Sequence, residues 1–365
     1  MSPKPWLQHY SGEIKWEMAI PNKTMVEILR ETAEKVPDRD ALRFYDKAIT
    51  YQELVGLVQA FASALQRIGV EKGDRVAIML PNCPQYVISY YGILSVGAVV
   101  TQVNPMLVER ELTFLLNDSG AETIVVLGDL YQRVKAVQAK TNLENIIVVN
   151  LQSSNGNYGR DLTFEQFLQS ANGIVHPVDI DPEEDLAVLQ YTGGTTGRSK
   201  GAMLTHRNIV ANVYQCYEFY KESLVFGEEV TLTVIPLFHV FAITSGMNLS
   251  ILNGATNILL PRFNLEEVLN VIKKEQPTSF PGVPTMYIAI TNHPKAEEYG
   301  INSIRVCNSG SAPMPLGIMR EFEEKTGALI LEGYGLTEAS PVTHCNPPFS
   351  DRKPGSIGIG IPLTE

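Results

Sequence analysis

The sequence has few cysteines, and none of them is paired at a metal-binding or redox spacing. The four cysteines in 365 residues are Cys83, Cys216, Cys307 and Cys345. Because no C-x-x-C pair occurs, a zinc site and a redox motif are excluded, and a disulfide framework is disfavoured. We therefore expect buried or incidental thiols and a reducing, cytoplasmic location.

Basic residues are also scarce. Lys and Arg number 29 against 40 Asp and Glu, which gives a formal net charge of −11. No run of Lys or Arg is long enough for a polybasic membrane patch, and this balance argues against nucleic acid as a partner. The first ten residues lack an apolar core and a cleavage site, so no secretory signal is predicted.

Charge is missing from two long stretches, residues 76–108 and 230–261. Each is long enough for a membrane helix of about 20 residues. Pro, Gly and Asn interrupt both stretches and divide them into strands and helices, so no transmembrane segment is predicted. Such charge-free strands are typical of a parallel sheet that is covered on both faces.

Helix-start signals and apolar strands alternate along the chain. Thr24 with Glu27 and Thr50 with Glu53 fit the capping box, and an apolar helical period follows Thr50 until Gly69. Alternating strands and helices predict right-handed crossovers and a parallel, doubly wound α/β sheet. Strands are expected at 75–80, 98–103, 123–127, 145–150, 186–191, 231–235, 256–260 and 304–308 and near 279, with helices at 85–95, from 205 and from 240.

The most informative segment is the loop LQYTGGTTGRSKGAMLTH, residues 189–206. Its glycines free backbone N–H groups for an anion, its threonines add hydroxyl donors, and its one lysine adds a mobile charge. The P-loop pattern does not fit, because Gly201 follows the lysine. We predict a phosphate-binding loop between a strand and a helix start, against the alternative of a solvent loop. Its candidate ligands are Thr192, Gly193, Gly194, Thr195, Thr196, Gly197 and Lys200.

Residues 191–201 resemble the signature loop of the acyl-adenylate-forming (AMP-binding) superfamily. Two further family motifs follow in the family order, NSGSAP at 308–313 and LEGYGLTE at 331–338. The segments PLFHVF at 236–241 and GSIG at 355–358 also fit. The likeness therefore covers nearly the whole chain and is greatest to the bacterial long-chain fatty-acid–CoA ligase branch.

The resemblance implies two packed flavodoxin-like doubly wound sheets and the start of a small β-barrel. We expect an N-terminal α/β subdomain over residues 1–182, a second one with the nucleotide and acyl site over 183–345, and the start of the barrel over 346–365. The family's Thr-Gly-Asp motif and its mobile, lysine-bearing C-terminal domain have no counterpart in the sequence. We therefore expect an N-terminal fragment that is deficient in catalysis.

The resemblance also implies an activity, the ATP-dependent conversion of a fatty acid to acyl-AMP and the transfer of the acyl group to CoA. ATP, Mg²⁺ and CoA are the implied cofactors and co-substrates. Thr192 and Lys200 would act on the phosphates with the rest of the loop, Thr337 would donate to the α-phosphate, and Glu338 would ligate Mg²⁺. A solvated glutamate is the alternative interpretation of Glu338.

The remaining site residues are implied in the same way. Tyr334 would stack on adenine, although a core tyrosine is the alternative. The nucleotide site would also include Gly310, Ser311, Ala312, Glu332, Gly333 and Gly335. His239 and Gly310 would border the acyl group, and a satisfied core histidine is an equal interpretation of His239.

Other functions share these motifs. A ligase for aryl or medium-chain acids, a fatty-acyl-AMP ligase that serves a carrier protein, and a non-catalytic module that binds nucleotide or acyl-adenylate all remain open. The sequence leaves a homodimer and a transient, peripheral contact with a membrane undecided.

Overall fold

Two sheets organise the chain in the computed structural model, which describes residues 4–151, 156–193 and 199–365. The strands are β1 (Asp40–Phe44), β2 (Lys47–Thr50), β3 (Arg75–Met79), β4 (Val99–Gln102), β5 (Thr123–Leu127), β6 (Asn145–Val149), β7 (Leu162–Thr163), β8 (Leu186–Thr192), β9 (Lys200–Thr205), β10 (Val230–Thr233), β11 (Thr256–Leu259), β12 (Val306–Ser309), β13 (Leu329–Gly335), β14 (Val342–Cys345) and β15 (Ile359–Gly360).

Helices connect most of these strands. They are α1 (Met25–Lys35), α2 (Tyr51–Arg67), α3 (Pro84–Ser95), α4 (Glu109–Ser119), α5 (Tyr131–Gln138), α6 (Phe164–Gln169), α7 (His206–Tyr220), α8 (Leu249–Leu252), α9 (Leu265–Glu275), α10 (Pro284–Thr291) and α11 (Leu316–Thr326). A π-helical segment, Ala242–Asn248, precedes α8. Both predicted capping boxes are confirmed, at the starts of α1 and α2.

The first sheet has seven strands in the order β7-β6-β5-β3-β4-β8-β9. All neighbours are parallel except β8 and β9, which form an antiparallel hairpin. The second sheet contains two groups of strands, in the orders β10-β11-β1-β2 and β12-β13-β14-β15. Ser279 joins the two groups, because it forms one parallel bridge to β10 and another to β12. The predicted α/β class with two sheets is confirmed, and the described residues form no closed barrel.

Each sheet contains strands from both sides of the subdomain boundary that was predicted at residue 182. β8 and β9 follow that residue but belong to the first sheet, whereas β1 and β2 precede it and belong to the second. The boundary therefore does not coincide with the division into sheets. The partner of each strand is set by long-range pairing, which the composition near residue 182 does not reveal.

The strand β9 was not predicted, and the expectation that the glycine-rich loop leads directly into a helix is wrong. Lys200–Thr205 pairs antiparallel with β8 before α7 begins at His206. Thr205 caps that helix, because its hydroxyl oxygen accepts a hydrogen bond from the Asn208 backbone N–H. The described residues on either side of the glycine-rich loop are thus two paired antiparallel strands, β8 and β9.

The four cysteines lie in the interior of the protein. All four are free thiols and are buried, as predicted. In the described part of the chain, no helix is long and apolar enough to cross a membrane.

His206 lies at the buried start of α7, and its Nε2 has no hydrogen-bond partner among the described residues. Burial disfavours the imidazolium and lowers the pKa of His206 to about 4. The unfolded chain therefore binds more protons than the native protein between about pH 6.5 and 4, so stability falls as the pH is lowered through this range.

Replacing His206 by glutamine is expected to reduce the loss of stability between pH 6.5 and pH 5 by about 2 kcal/mol. Urea unfolding at the two pH values measures it. The control is His176→Gln, which makes the same replacement at an exposed position. An unchanged pH dependence in the His206 variant would contradict the assignment.

Candidate active site

A pocket of about 280 Å³ lies where three of the sequence motifs meet. Residues 239–241, 308–311 and 333–337 contribute to its lining. Among the predicted site residues, the pocket thus brings together His239, Gly310, Ser311, Gly333, Tyr334, Gly335 and Thr337. These segments are far apart in the sequence, so the fold itself creates the site.

The parallel strands β12 and β13 deliver two of these segments. Both strands end at the pocket, in keeping with the rule that ligands bind at the carboxyl ends of strands in open α/β sheets. Gly310 follows β12, and a Cβ atom there would lie 3.4 Å from the ring of Phe241. Ser311 then adopts a positive φ of 69°. The close approach of these segments keeps the pocket narrow at Gly310.

Two buried polar atoms in the lining have no protein partner. Asn308 Oδ1 and Ser309 Oγ form no hydrogen bond with a described residue. A buried polar atom without a partner costs about 1–3 kcal/mol, so such atoms need an explanation. A polar ligand in the pocket would provide the missing partners.

We expect Ser309→Ala to stabilise the free protein by about 1 kcal/mol while weakening the binding of a polar pocket ligand about fivefold. Thermal unfolding and titration with an adenylate mimic measure the two effects. Ser89→Ala is a matched control, because Ser89 Oγ is equally buried and unpartnered but does not line the pocket. Equal binding by both variants would show that Ser309 does not contact the ligand.

The ring of His239 faces the pocket at its accessible side. The Phe241 backbone N–H donates to His239 Nδ1 at 3.3 Å, which assigns the ring hydrogen of the neutral form to Nε2. The surrounding protein lowers the pKa of His239 by desolvation. A neutral His239 therefore has an N–H donor that can bind a ligand oxygen.

The side chain of Tyr334 lies at the mouth of the pocket and is 48% exposed. The centre of its ring is 6.5 Å from that of His344 at an interplanar angle of 61°. An exposed aromatic face beside a pocket offers a stacking surface for a flat ring.

Glu338 follows the pocket residue Thr337 in a short 3₁₀ turn, Thr337–Ala339. Its carboxylate is exposed and forms no hydrogen bond or ion pair with a described residue. No group of three or more His, Cys, Asp and Glu side chains in the described residues could hold a metal ion. A single free carboxylate nevertheless fits Mg²⁺, which binds through one or two carboxylates together with substrate phosphates.

The strands β8 and β9, which flank the glycine-rich loop, lie near the Thr337–Ala339 turn. Thr192 and Lys200 pair across β8 and β9, and Ser199 Oγ donates to the Thr192 carbonyl at 2.7 Å. Strand β9 contacts the Thr337–Ala339 turn. Gly193 and Lys200 are exposed, and Lys200 forms no ion pair with a described residue. The predicted ligands Gly194, Thr195, Thr196 and Gly197 lie outside the described residues.

Five described residues that were predicted to bind the nucleotide do not line the pocket, namely Thr192, Gly193, Lys200, Ala312 and Glu332. Ala312 is exposed beyond it. Glu332 is buried, and its Oε2 accepts the Gly355 backbone N–H at 2.6 Å, while its carbonyl accepts the Asn346 backbone N–H at 2.9 Å. The structure therefore places Glu332 as an anchor for residues 346–355.

The pocket lining also contains residues to which the sequence analysis gave no individual role. They are Tyr220 at the end of α7, Val240, Phe241, Ser245 in the π-helical segment, Asn308, Ser309, Leu336, Pro341, Val342 and Cys345. Several lie within or beside the quoted motifs, but Tyr220 and Cys345 carried no signal beyond burial. A π-helical segment, which often marks functional sites, cannot be recognised from its residue types.

Comparison with known proteins defines the class. The family model of the AMP-binding enzymes matches residues 29–365. The chain belongs to this family of AMP-binding enzymes, which confirms the resemblance found in the motifs.

The curated relatives narrow this class. The chain is 41% identical over its whole length to a long-chain-fatty-acid--CoA ligase of Bacillus subtilis (strain 168), of which it covers 69%. It is 35% identical to the long-chain-fatty-acid--CoA ligase of Salmonella typhimurium (strain LT2), with 99% of this chain and 69% of that protein covered. These relatives place the chain with the AMP-forming acyl-CoA synthetases, of which it represents the N-terminal portion.

A solved structure agrees with this placement. The crystal structure of a long-chain-fatty-acid-CoA ligase from Archaeoglobus fulgidus superposes with a TM-score of 0.85 at 26% identity, over 96% of this chain and 71% of that one. The two-sheet fold is therefore shared with a ligase of the same family.

Proposed function

We propose that the chain binds ATP and a fatty acid in one pocket and joins them as acyl-AMP, after which the acyl group passes to CoA. The observation that carries this proposal is the meeting of the segments 239–241, 308–311 and 333–337 around a single pocket. An exposed aromatic ring and unpartnered polar atoms line one cavity, and Glu338 directly follows its lining residue Thr337. These groups suit a nucleotide joined to a carboxylic acid.

In the first step, a carboxylate oxygen of the fatty acid forms a bond to the α-phosphorus of ATP, and the bond from that phosphorus to the pyrophosphate oxygen breaks. No protein nucleophile is required, so the residues act by positioning and by neutralising charge. Lys200 would attract the departing pyrophosphate, and Thr337 would donate to the α-phosphate. When bound, Mg²⁺ would neutralise phosphate charge, and Glu338 is the residue that would hold it.

His239 would orient the fatty acid. The neutral ring can donate from Nε2 to a carboxylate oxygen while it stays uncharged, and it lines the same pocket as Gly310 and the unpartnered Ser309. In the second step the sulfur of CoA forms a bond to the acyl carbon, the bond to the AMP oxygen breaks, and the thiol proton passes to solvent.

The test is thermal stabilisation of the chain by non-hydrolysable acyl-adenylate mimics, with acyl groups from acetyl to stearoyl. A ligand that binds only the native state raises stability by mass action, so turnover is not needed. Stabilisation that grows with acyl length supports a fatty-acyl site. The absence of stabilisation by every mimic contradicts the proposal.

A second candidate is a ligase for aryl or medium-chain acids. The pocket of about 280 Å³ lies just below the range of about 300–1,000 Å³ that small-molecule sites occupy. A relative from Solanum tuberosum, named 4-coumarate--CoA ligase 1, is 30% identical over 88% of this chain. Benzoyl and coumaroyl mimics in the same panel test this candidate, which predicts that they stabilise the chain more than the long-chain mimics do.

The expected catalytic deficiency and cytoplasmic location stay predictions, and peripheral membrane contact and a homodimer stay open. The expected deficiency of these 365 residues in thioester formation would be contradicted by acyl-CoA synthesis from ATP, fatty acid and CoA at the rate of a complete ligase. Cytoplasmic location and peripheral membrane contact are tested by cell fractionation, and homodimer formation by light scattering.

A further inference from the structure

Two buried side chains meet in the lining of the pocket. Tyr220 at the end of α7 is 4% exposed, and Cys345 at the end of β14 is 1% exposed. The Tyr220 hydroxyl donates to Cys345 Sγ at 2.8 Å. We call this pair the inner wall, because it is a buried part of the lining where α7 meets β14, whereas Tyr334 of the same lining is exposed.

The inner wall is backed by packed protein. Tyr220 and Cys345 belong to a hydrophobic cluster that includes Phe219 and Ile361. The rings of Phe219 and Tyr220 are 5.5 Å apart at their centres, and the ring of Tyr10 lies 5.8 Å from that of Phe219. Since protein interiors are close-packed, a ligand cannot extend past the wall without displacing it.

A second contact keeps the two elements of the wall together. Asn212 of α7 donates from Nδ2 to the Val342 carbonyl at 2.7 Å, and its Oδ1 accepts the Val342 backbone N–H at 3.0 Å. The start of β14 is thus held by α7 at Asn212, about two helical turns before Tyr220. This bidentate contact limits how far α7 and β14 can separate.

The pocket lining has an exposed part and a buried part, and the two parts differ in polarity. The mouth carries the exposed Tyr334 and the turn with Glu338, whereas the inner wall is neutral and almost fully buried. Burial raises the pKa of the Cys345 thiol to about 12 and that of Tyr220 well above its usual value. An uncharged wall backed by hydrocarbon suits the methyl end of an acyl chain and disfavours an ionic group.

We infer that the inner wall of Tyr220 and Cys345 ends the acyl site and sets the longest acyl chain that the pocket accepts. This inference rests on the proposed function. The narrow volume of the pocket, about 280 Å³, means that the position of this wall decides how many methylenes fit beyond the carboxylate. Tyr220 and Cys345 are therefore specificity-determining residues.

The test compares acyl-adenylate mimics from acetyl to stearoyl in two variants that move the wall in opposite directions. Tyr220→Ala opens the wall and is expected to shift the best-bound acyl length upward by about two to four methylenes, since a vacated ring leaves a cavity of that order. Each newly buried methylene should tighten binding about fourfold, which corresponds to about 0.8 kcal/mol. Cys345→Val enlarges the wall and is expected to shift the preference toward shorter chains.

Tyr220→Phe is the matched control, because it removes only the hydroxyl and should leave the preferred length unchanged. Opposite shifts in the two variants cannot come from a general loss of stability. If Tyr220→Ala does not fold, the direction of the shift in Cys345→Val decides alone. Mimics that bind with the same length preference in wild type and Cys345→Val overturn the wall, whereas mimics that do not bind the wild type at all overturn the proposed function with it.

Discussion

Replacing Glu338 by glutamine is expected to weaken binding of Mg²⁺-ATP about tenfold to hundredfold and to remove the dependence of ATP binding on Mg²⁺. The reason is that glutamine keeps the size of the side chain but removes the negative charge that a hard cation requires. Because Glu338 is exposed and has no partner among the described residues, the variant should unfold at the same temperature as the wild type. Calorimetric titration with ATP, with Mg²⁺ and with EDTA, measures the effect.

Glu324 provides the control. It is an exposed glutamate of α11 and does not line the pocket, so Glu324→Gln should leave both the affinity and the Mg²⁺ dependence unchanged. If Glu338→Gln retains the Mg²⁺ dependence of the wild type, Glu338 does not hold the metal, and the interpretation as a solvated glutamate is correct.

The second large effect is expected for Gly335→Ala. A Cβ atom at residue 335 would lie 2.9 Å from the carbonyl carbon of Pro341 and closer still to its oxygen. That oxygen accepts the Leu336 backbone N–H at 3.0 Å, so relief of the clash must separate β13 from β14 next to the pocket. We expect a loss of stability of about 1–3 kcal/mol and loss of adenylate-mimic binding.

Gly317→Ala separates this clash from the general effect of adding a methyl group. Gly317 lies in α11, and a Cβ atom there would meet nothing within 4 Å. Alanine in a helix is favoured over glycine, so this variant should gain up to about 1 kcal/mol of stability and keep its ligand binding. Urea unfolding compares the two variants. Equal stability for both would show that β13 and β14 adjust to the added methyl group.

The sequence predicted the strands of the sheet interiors well, for a physical reason. β3, β4 and β5 are buried on both faces, so each appears as a short apolar run between breakers. β9 is an edge strand with mixed burial and two small residues, and nothing in its composition separates it from a loop. β1 was missed because Asp40 and Arg43 interrupt its apolar run although the strand is largely buried, and β2 was missed because it is short and partly exposed.

The site could be predicted only where a motif carried it. Gly310, Tyr334 and Thr337 lie in such motifs, and the structure places all three in the pocket lining. Tyr220 and Cys345 come from elements that meet only in the folded chain, so neither could be connected with the pocket from the sequence. Their contact depends on the packing of α7 against β14, which no local pattern encodes.

The most direct measurement is the affinity of the chain for a long-chain acyl-adenylate mimic, compared with its affinities for AMP and for the free fatty acid. If the nucleotide and the acyl group share one pocket, the joined ligand saves the cost of ordering two separate molecules and should bind far more tightly than either part. A mimic that binds no more tightly than AMP would mean that the acyl group makes no contact in the pocket, and would contradict the account.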